Sequence, residues 1–357
     1  MKGKNEGSYK KPSKKIIIDG YRQFCFNWWR TLLTVLLFPI IIFWSKKYVR
    51  DFFNFTQTYQ RTGMMTMNSK NFDFNSFEAY NQDLIAKELK QLNFCFNTIE
   101  EAQMQTITIL NQQQESISAL YLQYPHSQKW VIGLHGWTEN KYLALRQVYY
   151  FYQQGYNVLT FDSIAHGLSA GKYSGIGYLN VQNLSAVIAW LINNFTLNAI
   201  GLIGNSMGAA CLTKYLLDQG YQNPLVKWAI SDCGFSNLLV QFRYVMEYRY
   251  QRCWWLISFG LRKKFKQELG FNLRHYNLLK HPKRLKNLPM LIFHGTNDDF
   301  VPYFMSKEFY LQKITSEPLG QSQLVSLLNL GHVEAISKGH KSYLAAIKTF
   351  LAQQERK

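Results

Sequence analysis

The sequence predicts an α/β fold in which a mostly parallel sheet is covered by helices on both faces. Beyond about residue 103, short apolar runs alternate with helix-length amphipathic stretches, the order expected of repeated strand–helix units. Most of the runs are apolar throughout, as strands buried on both faces must be. The third observation is compositional. In 357 residues, 47% hydrophobic content and only 17% charged content supply a substantial core and exclude wholesale disorder.

Taken in chain order, the first segment is set apart by charge. Six lysines in the first 15 residues precede an uncharged stretch of 14, "TLLTVLLFPIIIFW" (31–44). A spanning helix wants about 20 residues, which the stretch reaches if it extends back through Trp28 and Trp29 and Arg30 sits at the lipid boundary. After Trp44 comes Ser45-Lys46-Lys47-Tyr48, with no small-x-small cleavage signal. The expectation is therefore an uncleaved membrane anchor over residues 1–50. A cleaved signal and a buried helix of the following domain are the alternatives. Eight positive residues precede the stretch and three follow it (Lys46, Lys47, Arg50), which orients the bulk of the chain outside the cell. Residues 51–100, rich in Asn, Gln, Phe and Tyr, read as a stalk or lead-in with one helical pattern at 76–93.

The domain proper spans 101–357. "MQTITIL" and "SISALYLQY" alternate as half-buried antiparallel strands around the turn-like "NQQQE". "KWVIGLHG" is a more fully buried strand. Helical stretches at 139–154, 178–194 and 206–219 then alternate with "YNVLTFD", "AIGLIG" and "VKWAISD". The alternation lapses between 233 and about 274 into an aromatic, basic, helix-prone insertion. It resumes with "PMLIFHG", "QLVSLLN" and a closing helix at 335–353.

The net charge of +18 does not indicate nucleic acid. Residues 1–50 carry 11 Lys/Arg against 2 acids, and residues 233–290 carry 12 against 2, so these two segments hold the whole excess. No recognition-helix, RNP-like or OB-like pattern accompanies either. Contact with a membrane accounts for both more economically. Five cysteines (Cys25, Cys95, Cys211, Cys233, Cys253) without a C-x-x-C spacing support neither a disulfide framework nor a zinc site.

Chemistry concentrates at strand ends. "GNSMG" places Ser206 after an apolar strand and at the start of a helix, a tight elbow that exposes the hydroxyl above the sheet. The bland alternative is a helix-capping serine. A serine hydroxyl is a weak nucleophile unless a histidine takes its proton and a carboxylate orients that histidine. In this chain order both should follow, each just past a strand. Asp298 stands beyond "LIFHG" and His332 beyond the last strand, with Asp299 and Asp232 as alternative carboxylates. An oxyanion site needs two backbone N–H groups. Met207, directly after Ser206, supplies one, and the loop "LHGWTEN" (134–140) supplies the other, with Trp137 the assigned donor and His135 shaping the loop.

From about residue 100 to the end, the chain resembles bacterial serine hydrolases of the α/β-hydrolase superfamily, of the esterase/lipase kind. The residues that carry this are "HGW" (135–137), "FDSIAHGLSAG" (161–171), "GNSMGAA" (204–210), "SDCGF" (231–235), "HGTNDDFVP" (294–302) and "GHVEA" (331–335). The resemblance implies an eight-stranded, mostly parallel sheet and a lid formed by the insertion at about 234–274. It also implies that Asp162 and His166 are structural members of a loop after the fourth strand. Phe242, Tyr244, Trp254, Trp255 and Phe259 are expected to wall an acyl pocket. Arg262, Lys263, Lys264 and Lys266 form either a solvated face or a contact for anionic lipid heads.

The expected activity is hydrolysis of a small-molecule or lipid ester through an acyl-enzyme, without metal, organic cofactor or nucleic-acid partner. A peptidase or thioesterase on the same triad is the enzymatic alternative, and a non-catalytic binding protein that retains the fold is the other. Neither oligomeric state nor acyl chain length is legible.

Overall fold

The computed structural model describes residues 28–62, 76–77, 101–249 and 254–355. The eight strands are β1 (Gln105–Leu110), β2 (Ser116–Leu122), β3 (Lys129–Leu134), β4 (Asn157–Phe161), β5 (Ala199–Asn205), β6 (Val226–Asp232), β7 (Met290–Gly295) and β8 (Gln323–Leu327). They form one sheet in the order β1-β2-β4-β3-β5-β6-β7-β8. β2 pairs antiparallel with β1 and with β4, and every other pairing is parallel. The expected hydrolase-type sheet is thus present. The hairpin at its antiparallel edge is closed by the Asn111 side chain, which accepts from the amides of Gln113 (2.9 Å) and Glu115 (2.9 Å).

The central strands are apolar in both registers because both faces are covered. On β3, Trp130, Ile132 and Leu134 point into one core while Val131 points into the other; β7 divides the same way, with Met290 and Ile292 opposite Leu291 and Phe293. Helices α3 (Lys141–Gln153) and α9 (His340–Glu355) cover the second face. The first face carries α4 (Asn180–Asn194), α5 (Met207–Asp218) and α8 (Phe304–Lys313). Each fully buried Leu, Ile or Phe contributes about 1.5–3 kcal/mol.

The insertion supplies α6 (Leu238–Tyr244), followed by a wide turn, and α7 (Trp254–Leu269). Ahead of the sheet lie α1 (Trp28–Leu36) and α2 (Phe38–Thr62). α2 runs through residue 50 unbroken and docks on α7. Ser45 Oγ donates to the Ile257 carbonyl at 3.4 Å, and Phe53 meets the edge of Phe265 at 5.2 Å. Among the described residues no helix is long and apolar enough to cross a membrane. The apolar stretch is divided at Leu37 between α1 and α2, and α2 turns polar within its second half. The expected anchor thus gains no spanning helix here, and its first 27 residues lie outside those described. So does the helix expected at 76–93, apart from Ser76 and Phe77; Phe77 is buried beside Tyr142, with ring centroids 6.3 Å apart.

Candidate active site

β5 ends at Asn205 and α5 begins at Met207, leaving Ser206 alone on the corner with φ 50° and ψ −114°. A side-chain-bearing residue in this region stores about 1–3 kcal/mol and persists only where its surroundings over-determine it. Here the Ser206 amide donates to the Asp232 carbonyl at 2.7 Å, and its carbonyl accepts from Ala210 at 3.0 Å. The glycines beside it permit the corner. A Cβ at Gly208 would lie 2.3 Å from the Leu134 carbonyl oxygen, because the start of α5 rides directly over the end of β3. Gly208→Ala is therefore expected to destabilise the domain by about 1–3 kcal/mol, read as a lower urea midpoint. An unchanged midpoint would mean that the corner relaxes freely.

The three residues expected to work together meet at this corner. His332 Nε2 lies 2.9 Å from Ser206 Oγ, and His332 Nδ1 lies 2.7 Å from Asp298 Oδ2. Asp298 is delivered by the turn after β7 and His332 by the turn after β8, so β5, β7 and β8, with β6 lying between the first two, supply one site. With Nδ1–H donated to the carboxylate, the Nε2 lone pair faces the serine hydroxyl. The other carboxylate oxygen, Oδ1, accepts from the amides of Phe300 (2.9 Å) and Val301 (2.8 Å). Burial alone would raise the Asp298 carboxyl. Hydrogen bonds from His294 and His332, and the electrostatic pull of the two rings, outweigh it and hold the group well below the usual carboxylate range. Ser206 and Asp298 are buried, while the His332 side chain keeps 21% of its surface exposed, so the site opens along the imidazole.

The alternative carboxylates are placed elsewhere. Asp299 is exposed. Asp232 is buried at the end of β6 and accepts from Cys233 Sγ at 3.1 Å. Burial pushes its carboxyl up to about 6. A folded-state value raised above the unfolded one means that the stability held below about pH 4 is lost as pH rises through 6. Asp232→Asn should remove this loss. Its stability, measured by urea unfolding between pH 4 and 7, is expected to vary less than that of the parent; an equal dependence would contradict the assignment.

The oxyanion loop joins β3 to α3. As the first residue of α5, Met207 has an N–H that no carbonyl of its own helix can take. On the facing loop, the Gly136 amide donates to Glu139 Oε2 at 2.7 Å and the Thr138 amide to His166 Nε2 at 3.3 Å, which brackets Trp137 between two fixed neighbours. His135 shapes this loop as expected: Nδ1 donates to the Gly136 carbonyl at 2.6 Å and Nε2 accepts from the Ser163 amide at 2.9 Å. Asp162 and His166 are both buried and bonded within this loop region. Asp162 accepts from the amide and Nζ of Lys141 (2.7 and 2.8 Å), and His166 donates to the Ile164 carbonyl at 2.9 Å.

Sequence reasoning missed two supports. His294, taken only as part of a motif, is fully buried. It bonds Ser306 Oγ (2.7 Å) and the Val301 carbonyl (2.8 Å) and lies 3.3 Å from Asp298 Oδ2, pinning the carboxylate. Glu139 reaches Arg146 at 2.7 Å and Asn205 Nδ2 at 3.0 Å, so one carboxylate ties the residue before Ser206 to the oxyanion loop. The expected wall of lid aromatics is divided. Phe242 is buried on Phe265 (5.1 Å), Phe259 is exposed, and Tyr244 stacks on Tyr248 at 5.0 Å. Burial, followed by Tyr248 and the charges of Asp298 and Asp299, pushes the Tyr244 hydroxyl up to about 12.

Cys233, Asp298 and His332 bring ligand-type atoms within 4.8 Å of one another. The donor set suits a metal poorly. The His332 nitrogen that faces the carboxylate is already bonded to it. Burial, with Asp232 and Asp298 nearby, keeps Cys233 a protonated thiol.

Comparison with known proteins agrees with this geometry. Residues 125–232 match the family model described as Serine aminopeptidase, S33. The uncharacterized protein YqkD of Bacillus subtilis is 24% identical over 271 residues, 76% of this chain and 86% of that protein. The putative esterase YitV of the same organism is 25% identical over 191 residues, 50% of this chain and 72% of that one. Among solved structures, the Pyrococcus furiosus esterase Pf2001 superposes with a TM-score of 0.58 at 26% identity, covering 71% of this chain and 91% of that one. A Pyrococcus horikoshii acylaminoacyl peptidase, 18% identical with a TM-score of 0.52, shares the fold over 71% of this chain and 41% of its own.

Proposed function

We propose that this chain, a serine hydrolase of the α/β-hydrolase superfamily, cleaves carboxylic esters through an acyl-enzyme intermediate. The observation that carries the proposal is the unbroken relay from Ser206 Oγ through His332 to Asp298, at 2.9 and 2.7 Å, on a serine held at φ 50°. His332 Nε2 takes the Ser206 proton as the oxygen attacks the substrate carbonyl carbon. The charge that develops on the carbonyl oxygen is met by the amides of Met207 and Trp137. His332 then returns the proton to the leaving alcohol, and a water activated by the same nitrogen releases the acid. No step requires a metal or an organic cofactor.

An ester, rather than an amide, is favoured by the extent of the likenesses. The P. furiosus esterase is 26% identical and the B. subtilis putative esterase YitV 25%, whereas the P. horikoshii peptidase, at 18%, shares the fold alone. The test is a panel of p-nitrophenyl esters of increasing chain length beside aminoacyl p-nitroanilides. Turnover of esters with little of the anilides is expected; faster turnover of the anilides would install the peptidase reading. The proposal includes a location, with residues 1–50 holding the enzyme at a membrane and the catalytic domain on the outer side. Supporting this are the eight positive residues ahead of the 31–44 stretch against three after it and the exposed apolar side chains of α1.

A further inference from the structure

The seam between α2 and α7 holds a cleft of about 460 Å³ whose lining includes four cationic side chains, Lys46 and Arg50 from α2 and Lys263 and Lys264 from α7. Its apolar floor includes Val49, Phe53 and Tyr173, and among the described residues no acid lines it. Two of the cations lean on acids outside the lining: Arg50 lies 3.7 Å from Asp51, and Lys264 pairs with Glu268. That leaves Lys46 and Lys263, one from each wall, as its strongest anion donors. Immediately ahead of Lys46 the helix surface changes character, and Leu36, Phe38, Ile40, Phe43 and Trp44 are all exposed. From Phe43 to Arg50 is about 10 Å along the helix axis, the depth over which a bilayer passes from acyl chain to headgroup. Trp44, with Lys47 Nζ 5.2 Å from its ring, sits at the junction, where indoles and basic side chains settle in membranes.

We infer that this cleft binds the phosphate-bearing headgroup of an anionic phospholipid while the exposed apolar end of α2 enters the acyl layer. A soluble anion would need the cations but not the adjoining apolar shoulder; a lipid needs both. The close seat of Ser45 on Gly260, where an added Cβ would fall 1.9 Å from Ser45 Oγ, keeps the two basic walls together as one site. The inference rests on the membrane reading above and is independent of the ester chemistry.

The test is flotation of the full chain with vesicles of phosphatidylcholine alone or mixed with phosphatidylglycerol. Each basic group at an anionic surface is worth about a five-fold gain in partitioning. Lys46→Gln with Lys263→Gln is thus expected to weaken binding to the mixed vesicles on the order of 25-fold and to leave binding to neutral vesicles unchanged. Lys283→Gln with Lys286→Gln, two exposed cations outside the cleft, should cost far less. Equal losses from the two pairs, or no preference for phosphatidylglycerol, would overturn the site while leaving membrane attachment standing. Release from the mixed vesicles by inorganic phosphate, but not by chloride of the same ionic strength, would reassign the cleft to a soluble phosphate. Failure to float with any vesicle would overturn the membrane reading itself.

Discussion

Ser206→Ala is expected to lower ester turnover by about 10⁶ while leaving the folded domain intact. Among the described residues the hydroxyl is bonded to His332, on the catalytic side of the corner. Alanine meets the same φ of 50° with the same Cβ, so the corner is no more strained than before. The amides that hold the corner in place, to Asp232 and from Ala210, are main-chain bonds that the substitution does not touch. Residual hydrolysis should remain above that in water, because the oxyanion amides survive. Turnover of p-nitrophenyl butyrate and a urea melt check both halves. A variant keeping more than a tenth of the parent activity would remove Ser206 from the chemistry.

Asp298→Asn should cost about 10⁴ in turnover, and Asp299→Asn very little. The geometry dictates the size of the first effect. In the parent, Oδ1 accepts from the amides of Phe300 and Val301, which fixes which end of an asparagine carries oxygen. Its NH₂ then points at His332 Nδ1, which must accept instead of donate. The ring proton moves to Nε2, facing Ser206, and the base is lost. Asp299 points into solvent from the same turn. The Asp298 carboxylate is held below its unfolded value, so it also adds stability that is present above about pH 4 and lost as pH falls through its lowered value. The asparagine variant should therefore lose stability at neutral pH relative to the parent and much less in acid. Comparable losses of activity from the two substitutions would mean that the wrong carboxylate has been assigned.

The sheet was legible because its strands announce themselves locally. β3, β5 and β7 are apolar in both registers, and the chemical residues fall just past their ends or those of their neighbours. Ser206, Asp298 and His332 are far apart in sequence, yet strand-end position alone brought them to one place. Asp298 was chosen over Asp299 by its place in the run "HGTNDDFVP"; in the structure the turn after β7 buries the first of these side chains and exposes the second. Interactions that join distant segments without periodicity were not legible. Glu139 reaches Asn205 across 66 residues, and Ser45 reaches Ile257 across 212. Neither pairing leaves a mark in the sequence of either partner. The lid aromatics were grouped by composition, but helical spacing turned Phe242 inward and Phe259 outward. The apolar run at 31–44 indicated affinity for a nonpolar phase and could not reveal that its helix continues onto α7.

The central claim is that Ser206 is an activated nucleophile, and covalent labelling tests it most directly. A fluorophosphonate probe, losing fluoride as the serine oxygen bonds phosphorus, phosphonylates a serine whose proton has a base to go to. The parent protein is expected to take up one probe, with the added mass on the peptide that contains Ser206, and Ser206→Ala and His332→Ala should take up none. Ester turnover by a protein that the probe leaves unmodified, or labelling on a different serine, would contradict the account.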